Sequence, residues 1–280
     1  MAYFGPPPHQ LSLESRCGGR LEYMKKDLFI GGFVLLVALI AIVTYAVLRP
    51  APVKAPEKAD VSGLTADSYV EHAPYYDIEA YYATSTPLLA SVGTSADANA
   101  VALMKTFVST TIAQFKTDGN FANLTSEDIK MMGFDSGRKE SLKIVYLIAP
   151  ASHSVTYIFT VYENTLGAHG NMFFHTISFD MATGKPLALT DLFLPSSSYL
   201  TTLSSIARKE LPSVIGGLSD TEMIAGGTAP EEKNFQNFFF DNQNLVLLFP
   251  PYQVAAYAAG PQTLRIPISE LSTILKPDYR

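Results

Sequence analysis

The sequence predicts an α+β fold, an antiparallel sheet with helices packed on one face, preceded by a single transmembrane helix. Three observations carry that expectation. Residues 28–48 run for 21 positions without a charge. Further on, apolar residues recur at steps of three and four in two places. Around those places the period falls to two, as half-buried strands require.

The 28–48 run spans about 31 Å as a helix, against a hydrocarbon core of about 30 Å. Fourteen of its residues are Leu, Ile, Val or Phe. Together they favour insertion by about 4–8 kcal/mol. The run exceeds the roughly 7–15 apolar residues of a secretory core, so it reads as an uncleaved signal anchor. Cleavage after the small residues at 44–46 or 53–55 is the rival reading. Arg16, Arg20, Lys25 and Lys26 precede the run, whereas Arg49, Lys54 and Lys58 follow it among prolines and Glu57. This bias places the N terminus in the cytoplasm and the C-terminal part outside the cytoplasmic membrane. Residues 1–27 are then a short cytoplasmic segment. Its first 23 residues lack any period and hold Pro6, Pro7 and Pro8, so the chain is expected to initiate at Met24.

Beyond the span, residues 49–280 carry 16 Lys/Arg and 23 Asp/Glu, a formal charge of −7. Such a module lacks the basic stripe that nucleic acid demands. The single cysteine, Cys17, precedes the span. The remainder therefore has no disulfide, cysteine ligand or thiol nucleophile, and its core alone must hold it together.

Residues 49–68 read as a spacer, with Pro50, Pro52 and Pro56 among small and charged residues and no apolar face. The aromatic run 75–84 reads as a strand. Residues 98–116 read as a helix, with Val101, Met104, Val108, Ile112 and Phe115 on one face behind capping side chains at 95–97. Residues 142–149, 155–162 and 172–179 read as meander strands. A turn at 183–185 leads into 186–189. A second helix covers 198–211, with Leu200, Leu203, Ile206 and Leu211 on one face and Pro212 near its end. A glycine-rich connection precedes a hairpin of 235–240 and 245–249. Leu264, Ile266 and Ile268 mark the last strand, and Ser269 caps a short closing helix.

Candidate chemistry is sparse. The run GAHGN at 167–171 supplies glycines and an asparagine for a tight connection, in which His169 serves the turn, touches a partner, or joins His175 at a metal. Six positions between two histidines is no recognised ligand spacing. No metal and no cofactor is expected. Asp180 and Asp191 fall beside turns, where carboxylates satisfy backbone amides. No nucleophile elbow, zinc helix or phosphate loop is present. Tyr75, Tyr76, Tyr81, Tyr82, Tyr252 and Tyr257 make six of fifteen tyrosines, a residue suited to interfaces that are dry at one end and wet at the other. The balance favours a binding module over an enzyme.

Two ordered motifs add to this reading. The first is ENTLGAHGN at 163–171, SFDMATGK at 178–185 and LTDLF at 189–193, with Gly167, Gly170, Asp180, Gly184, Asp191 and Phe193 as its structural positions. The second is FPPYQVAAYAAG at 249–260, ending at Gly260, then IPISEL at 266–271. Together they resemble the exported domain shared by RsiV-type anti-sigma factors, which sense lysozyme, and the non-catalytic region of PdaC-type peptidoglycan deacetylases. The resemblance covers 75–276 and implies a bacterial envelope protein, with a small companion region at 69–140 and the main exported domain at 141–280. A sigma-binding region is not expected within 27 residues, nor a deacetylase domain within a chain read to Arg280. What the resemblance implies is a tethered module that recognises peptidoglycan or a lysozyme-like protein. His169, Asn171, Tyr252 and Tyr257 are the candidate contact residues. The alternatives are a structural subunit of an envelope complex and a cell-wall hydrolase or deacetylase with an unrecognised site.

Overall fold

The computed structural model describes residues 66–280. The expected cytoplasmic segment, the span at 28–48 and most of the spacer lie outside the described residues. Among the described residues no helix is long and apolar enough to cross a membrane.

The fold is mixed α+β. Strand β1 (Ala66–His72) pairs antiparallel with β2 (Tyr76–Ala83). Helices α1 (Pro87–Ala90), α2 (Thr94–Asp118) and α3 (Ser126–Met132) follow. Then come β3 (Glu140–Pro150), β4 (Ser154–Asn164) and β5 (Asn171–Asp180), an antiparallel meander. Helices α4 (Tyr199–Ile215) and α5 (Thr221–Gly227) lead into β6 (Phe238–Phe240), β7 (Asn244–Phe249) and β8 (Gln262–Pro267), and α6 (Ile268–Leu271) follows directly.

The strands form two sheets rather than one, and the first is not wholly antiparallel. Its order is β1-β2-β3-β4-β5, and β2 runs parallel to β3 in the register Ile78 opposite Leu142. An antiparallel pair closes through a short turn, but residues 84–139 and their helices intervene here, the crossover that a parallel pair needs. The second sheet, β6-β7-β8, is antiparallel throughout.

Alternation explains the layering. Leu142, Ile144 and Tyr146 of β3 stand opposite Glu163, Val161 and Phe159 of β4, which stand opposite Asn171, Phe173 and His175 of β5. This face receives α2, whose Ala100, Met104, Val108, Ile112 and Phe115 are buried on it. Thr176, on the other face, accepts from the Phe238 amide at 3.2 Å and donates to the Gln236 carbonyl at 3.2 Å, which brings β6 there. A second core then forms between the small sheet and α4, centred on Leu203, Leu211, Leu247, Phe249 and Ile266. Helices thus flank two stacked sheets instead of sharing one face.

Local departures have local causes. β1 begins at Ala66, inside the segment read as spacer, because β2 offers it an edge. Asp97, in the first turn of α2, accepts from the Thr86 amide and hydroxyl, and Gly93 precedes the helix. Pro212 lies inside α4. The glycine-rich connection contains α5, whose first amides are capped by Asp220. Pro267, not Ser269, precedes α6.

The edge hairpin is tied to the last turn of α2 through Glu71. Its carboxylate pairs with Lys116 and accepts hydroxyls from Tyr69 and, at 2.6 Å, Tyr76. These bonds, that from Lys116 first, hold the Glu71 carboxyl down at about 2 from an ordinary 4.5. A depressed folded-state value means that the stabilisation is complete above pH 4.5 and fades as pH falls through that value towards 2. After solvent screening it amounts to about 1 kcal/mol. Glu71→Gln is expected to flatten the stability profile between these limits, as read by urea unfolding at stepped pH.

Candidate functional site

Two segments distant in sequence meet at the surface beside the start of β5. The first is the connection after β4. Asn164 Oδ1 accepts the Leu166 amide at 3.0 Å, and Leu166 takes φ 61. Arg138 holds the Leu166 carbonyl at 3.3 Å, and the chain then turns back at Gly170. A Cβ at Gly170 would stand 3.2 Å from the Glu163 carbonyl oxygen, so the close return favours glycine. The second segment follows β7. Gln253 Nε2 donates to the Gly227 and Asn234 carbonyls, both at 2.9 Å, while Val254 and Ala255 are buried. Tyr252 precedes this pinned stretch with φ 70 and stays 54 % exposed.

Three of the four candidate residues come into direct contact there. His169 Nδ1 lies 3.0 Å from the Gly170 carbonyl oxygen, and Nε2 lies 2.9 Å from the Tyr252 hydroxyl. A carbonyl only accepts, so Nδ1 carries a proton and donates to it, while Nε2 and the Tyr252 hydroxyl share the second bond. The imidazole stacks on Tyr257 at 3.8 Å and 20°, and the Tyr257 hydroxyl donates to the Gly170 carbonyl at 2.8 Å. The two tyrosine rings stand 5.5 Å apart. Asn171, paired with Glu163 across the strands, lies in the adjoining cleft of about 450 Å³, which Tyr162, Lys143, Pro251 and Tyr257 also line. The cluster presents two phenols, an imidazole and a carboxamide beside a polar-edged hollow, a surface able to stack on flat groups and exchange hydrogen bonds.

The other singled-out residues serve the framework. Burial alone would raise the Asp180 carboxyl, yet the Thr183 hydroxyl, Tyr279 and the backbone amides of Thr183 and Ala182 bring it below the usual range. Gly184 closes that turn with φ 68. Asp191 accepts the Ala188 amide at 2.9 Å, and buried Phe193 stacks on Tyr199 at 4.6 Å. Gly260 has φ 68 after the turn at Tyr257–Ala259, whereas Gly167 sits in open space. Tyr76 packs on Phe115 and Phe121.

His175 takes different partners from His169. It faces α2 and stacks on Phe107 at 4.0 Å and 13°, and burial lowers its pKa. Among the described residues no three His, Cys, Asp or Glu side chains are placed to hold a metal ion. Lys143 and Glu163 were not singled out from the sequence. Only the strand register puts them beside Asn171 and Tyr257, and composition carries no trace of register.

Comparison with known proteins bears on this region. Residues 190–269 match the family described as "Protein of unknown function (DUF3298)", a span that includes Tyr252 and Tyr257. The chain is 34 % identical over 143 residues to peptidoglycan-N-acetylmuramic acid deacetylase PdaC of Bacillus subtilis, covering 51 % of this chain and 31 % of that protein. It is 25 % identical over 126 residues to immunogenic protein MPT64 of Mycobacterium tuberculosis, covering 45 % and 54 %. The chain thus spans about a third of the first relative and about half of the second. A DUF3298 family structure from Bacteroides fragilis superposes with TM-score 0.49 at 18 % identity, over 77 % of this chain and 95 % of that one. Another, from Pseudomonas aeruginosa, gives 0.44 at 14 % identity, over 77 % and 96 %. The resemblance to PdaC-type proteins read from the two motifs is therefore shown, with residues 190–269 carrying a match to the DUF3298 family.

Proposed function

We propose that this chain is a non-enzymatic binding module of the bacterial cell envelope that recognises peptidoglycan through His169, Asn171, Tyr252 and Tyr257. On this reading residues 28–48 anchor it in the cytoplasmic membrane and the rest lies outside. The observation that carries the proposal is Tyr252. A bulky residue at φ 70 costs of order 1 kcal/mol, and such outliers cluster at ligand contacts. Tyr252 keeps that backbone while more than half exposed, bonded to His169 and backed by the pinned Gln253. Similarity to a peptidoglycan deacetylase supports the wall as the ligand. His169 faces a phenol and a carbonyl rather than a nucleophile, which supports binding over catalysis.

The test is co-sedimentation of the full chain, in mild detergent, with peptidoglycan sacculi, with and without lysozyme. Saturable pelleting with bare sacculi is expected. Tyr252→Ala and His169→Ala are each expected to weaken it about tenfold, the scale of an aromatic hot spot. Pelleting only in the presence of lysozyme shifts the ligand to a lysozyme-like protein. Failure in both conditions removes the wall reading.

A further inference from the structure

A second hollow lies under α2 and shares only Glu163 with the cleft beside the His169 cluster. It holds about 770 Å³ between that helix and β5, well within the range of small-ligand sites. Its long walls are apolar: Leu103, Phe107 and Phe115 from α2, Phe173 and Ile177 from β5. Its end, at the last turn of α2, is acidic, with Asp118 from the helix and Glu163 from β4. The negative end of the helix dipole points to the same place.

The two carboxylates differ in how far they are satisfied. Asp118 is exposed and accepts from the Gln114 amide at 2.7 Å. Glu163 has no hydrogen-bond or ion-pair partner among the described residues. Glu140, 5 % exposed and close enough to repel Glu163, stands behind it and does not line the hollow. Burial first, and then the neighbouring negative charge, raise both glutamates above the usual carboxylate range. The nearby cations are engaged elsewhere: Lys116 with Glu71, Lys139 with Asp77 and Lys143 with Glu79. A half-buried carboxylate without a partner, such as Glu163, has lost part of its hydration, and a bound cation offsets that loss. The acidic groups are not placed for a metal ion, and a hydrated ion makes no use of apolar walls. An ammonium with three diverging donors and a methylene tail uses both features.

We propose that this groove binds an aliphatic primary amine, its methylenes along Phe107, Phe115 and Phe173 and its ammonium between Glu163 and Asp118. The inference does not depend on peptidoglycan recognition. The probe is hexylammonium chloride, titrated into the full chain by calorimetry, with aromatic and methyl NMR shifts locating the site. Saturable binding that shifts Phe107, Phe173 and Ile177 is expected, at least tenfold tighter than hexan-1-ol. Glu163→Gln and Asp118→Asn are each expected to weaken it about fivefold, while His169→Ala leaves it unchanged. Circular dichroism and thermal midpoints establish that each variant is folded. Removing an unpaired, half-buried charge is expected to leave the Glu163→Gln midpoint no lower than that of the parent. Equal affinity for hexylammonium and hexan-1-ol, retention in both carboxamide variants, loss in His169→Ala, or no binding would each overturn the proposal.

Discussion

Phe159→Ala is expected to destabilise the fold by about 3–5 kcal/mol, the range for truncating a fully buried phenylalanine. Phe159 is wholly inaccessible on β4, the strand flanked by β3 and β5. Its ring lies 5.1 Å from Phe107 of α2 and 5.8 Å from Tyr146 of β3. Truncation therefore empties the junction where helix and sheet meet, and neighbours fixed in hydrogen-bonded strands collapse poorly into the gap. A domain's whole stability is about 5–15 kcal/mol, so the variant sits near the limit of folding. Urea unfolding should show a lower midpoint with an unchanged slope. A shift below about 1 kcal/mol would mean that α2 packs more loosely than its contacts imply.

Gly227→Ala is the second large effect, and it reaches the candidate site from behind. A Cβ at Gly227 would stand 1.8 Å from the Gln253 carbonyl oxygen and 2.7 Å from its carbon. These are backbone atoms, so no rotamer change relieves the clash. The 252–254 segment has to move, and with it the two hydrogen bonds donated by Gln253 Nε2 and the aim of Tyr252. Overpacking of this kind costs about 2–3 kcal/mol. The expected result is a folded but weakened protein in which the His169 and Tyr252 resonances change together. Sacculus binding is expected to fall as much as in Tyr252→Ala, although position 227 is not among the proposed contact residues. Unchanged His169 and Tyr252 resonances would contradict this path.

How far the sequence reached can be judged element by element. β4 and β5 were legible because Val155, Tyr157, Phe159 and Val161, and likewise Phe173, His175, Ile177 and Phe179, mark one face against α2. β1 was not, since Tyr69 and Val70 are adjacent and both are exposed on an edge whose order comes from β2. The direction of β2 against β3 is likewise absent from any period, because apolar alternation reads the same for both senses. α5 was hidden by Gly226 and Gly227, and the close approach of Gln253 gives the reason for the second glycine. α3 buries no residue and announces itself only by the Thr125 and Asp128 capping box. At the candidate site, residue type and motif drew attention to His169, Tyr252 and Tyr257. That the three would stack and hydrogen-bond follows only from tertiary structure, as does the placing of Glu163 between two hollows.

The parallel pairing of β2 with β3 has a consequence for how the chain is made. The ribosome delivers β1, β2 and α2 first, but Tyr76–Ala80 has its partner only once residues 140–144 have emerged. Until then a nascent β2 presents one unpaired edge, and α2 has no complete sheet on which to lay Met104, Val108 and Phe115. The later meander needs no such wait, because β3, β4 and β5 join through short connections and close locally. The second edge of β2 and the sheet beneath α2 are therefore completed only after a stretch of some sixty residues has followed β2. Any factor that shields nascent chains has its natural moment of engagement between the emergence of Ala83 and that of Ile144.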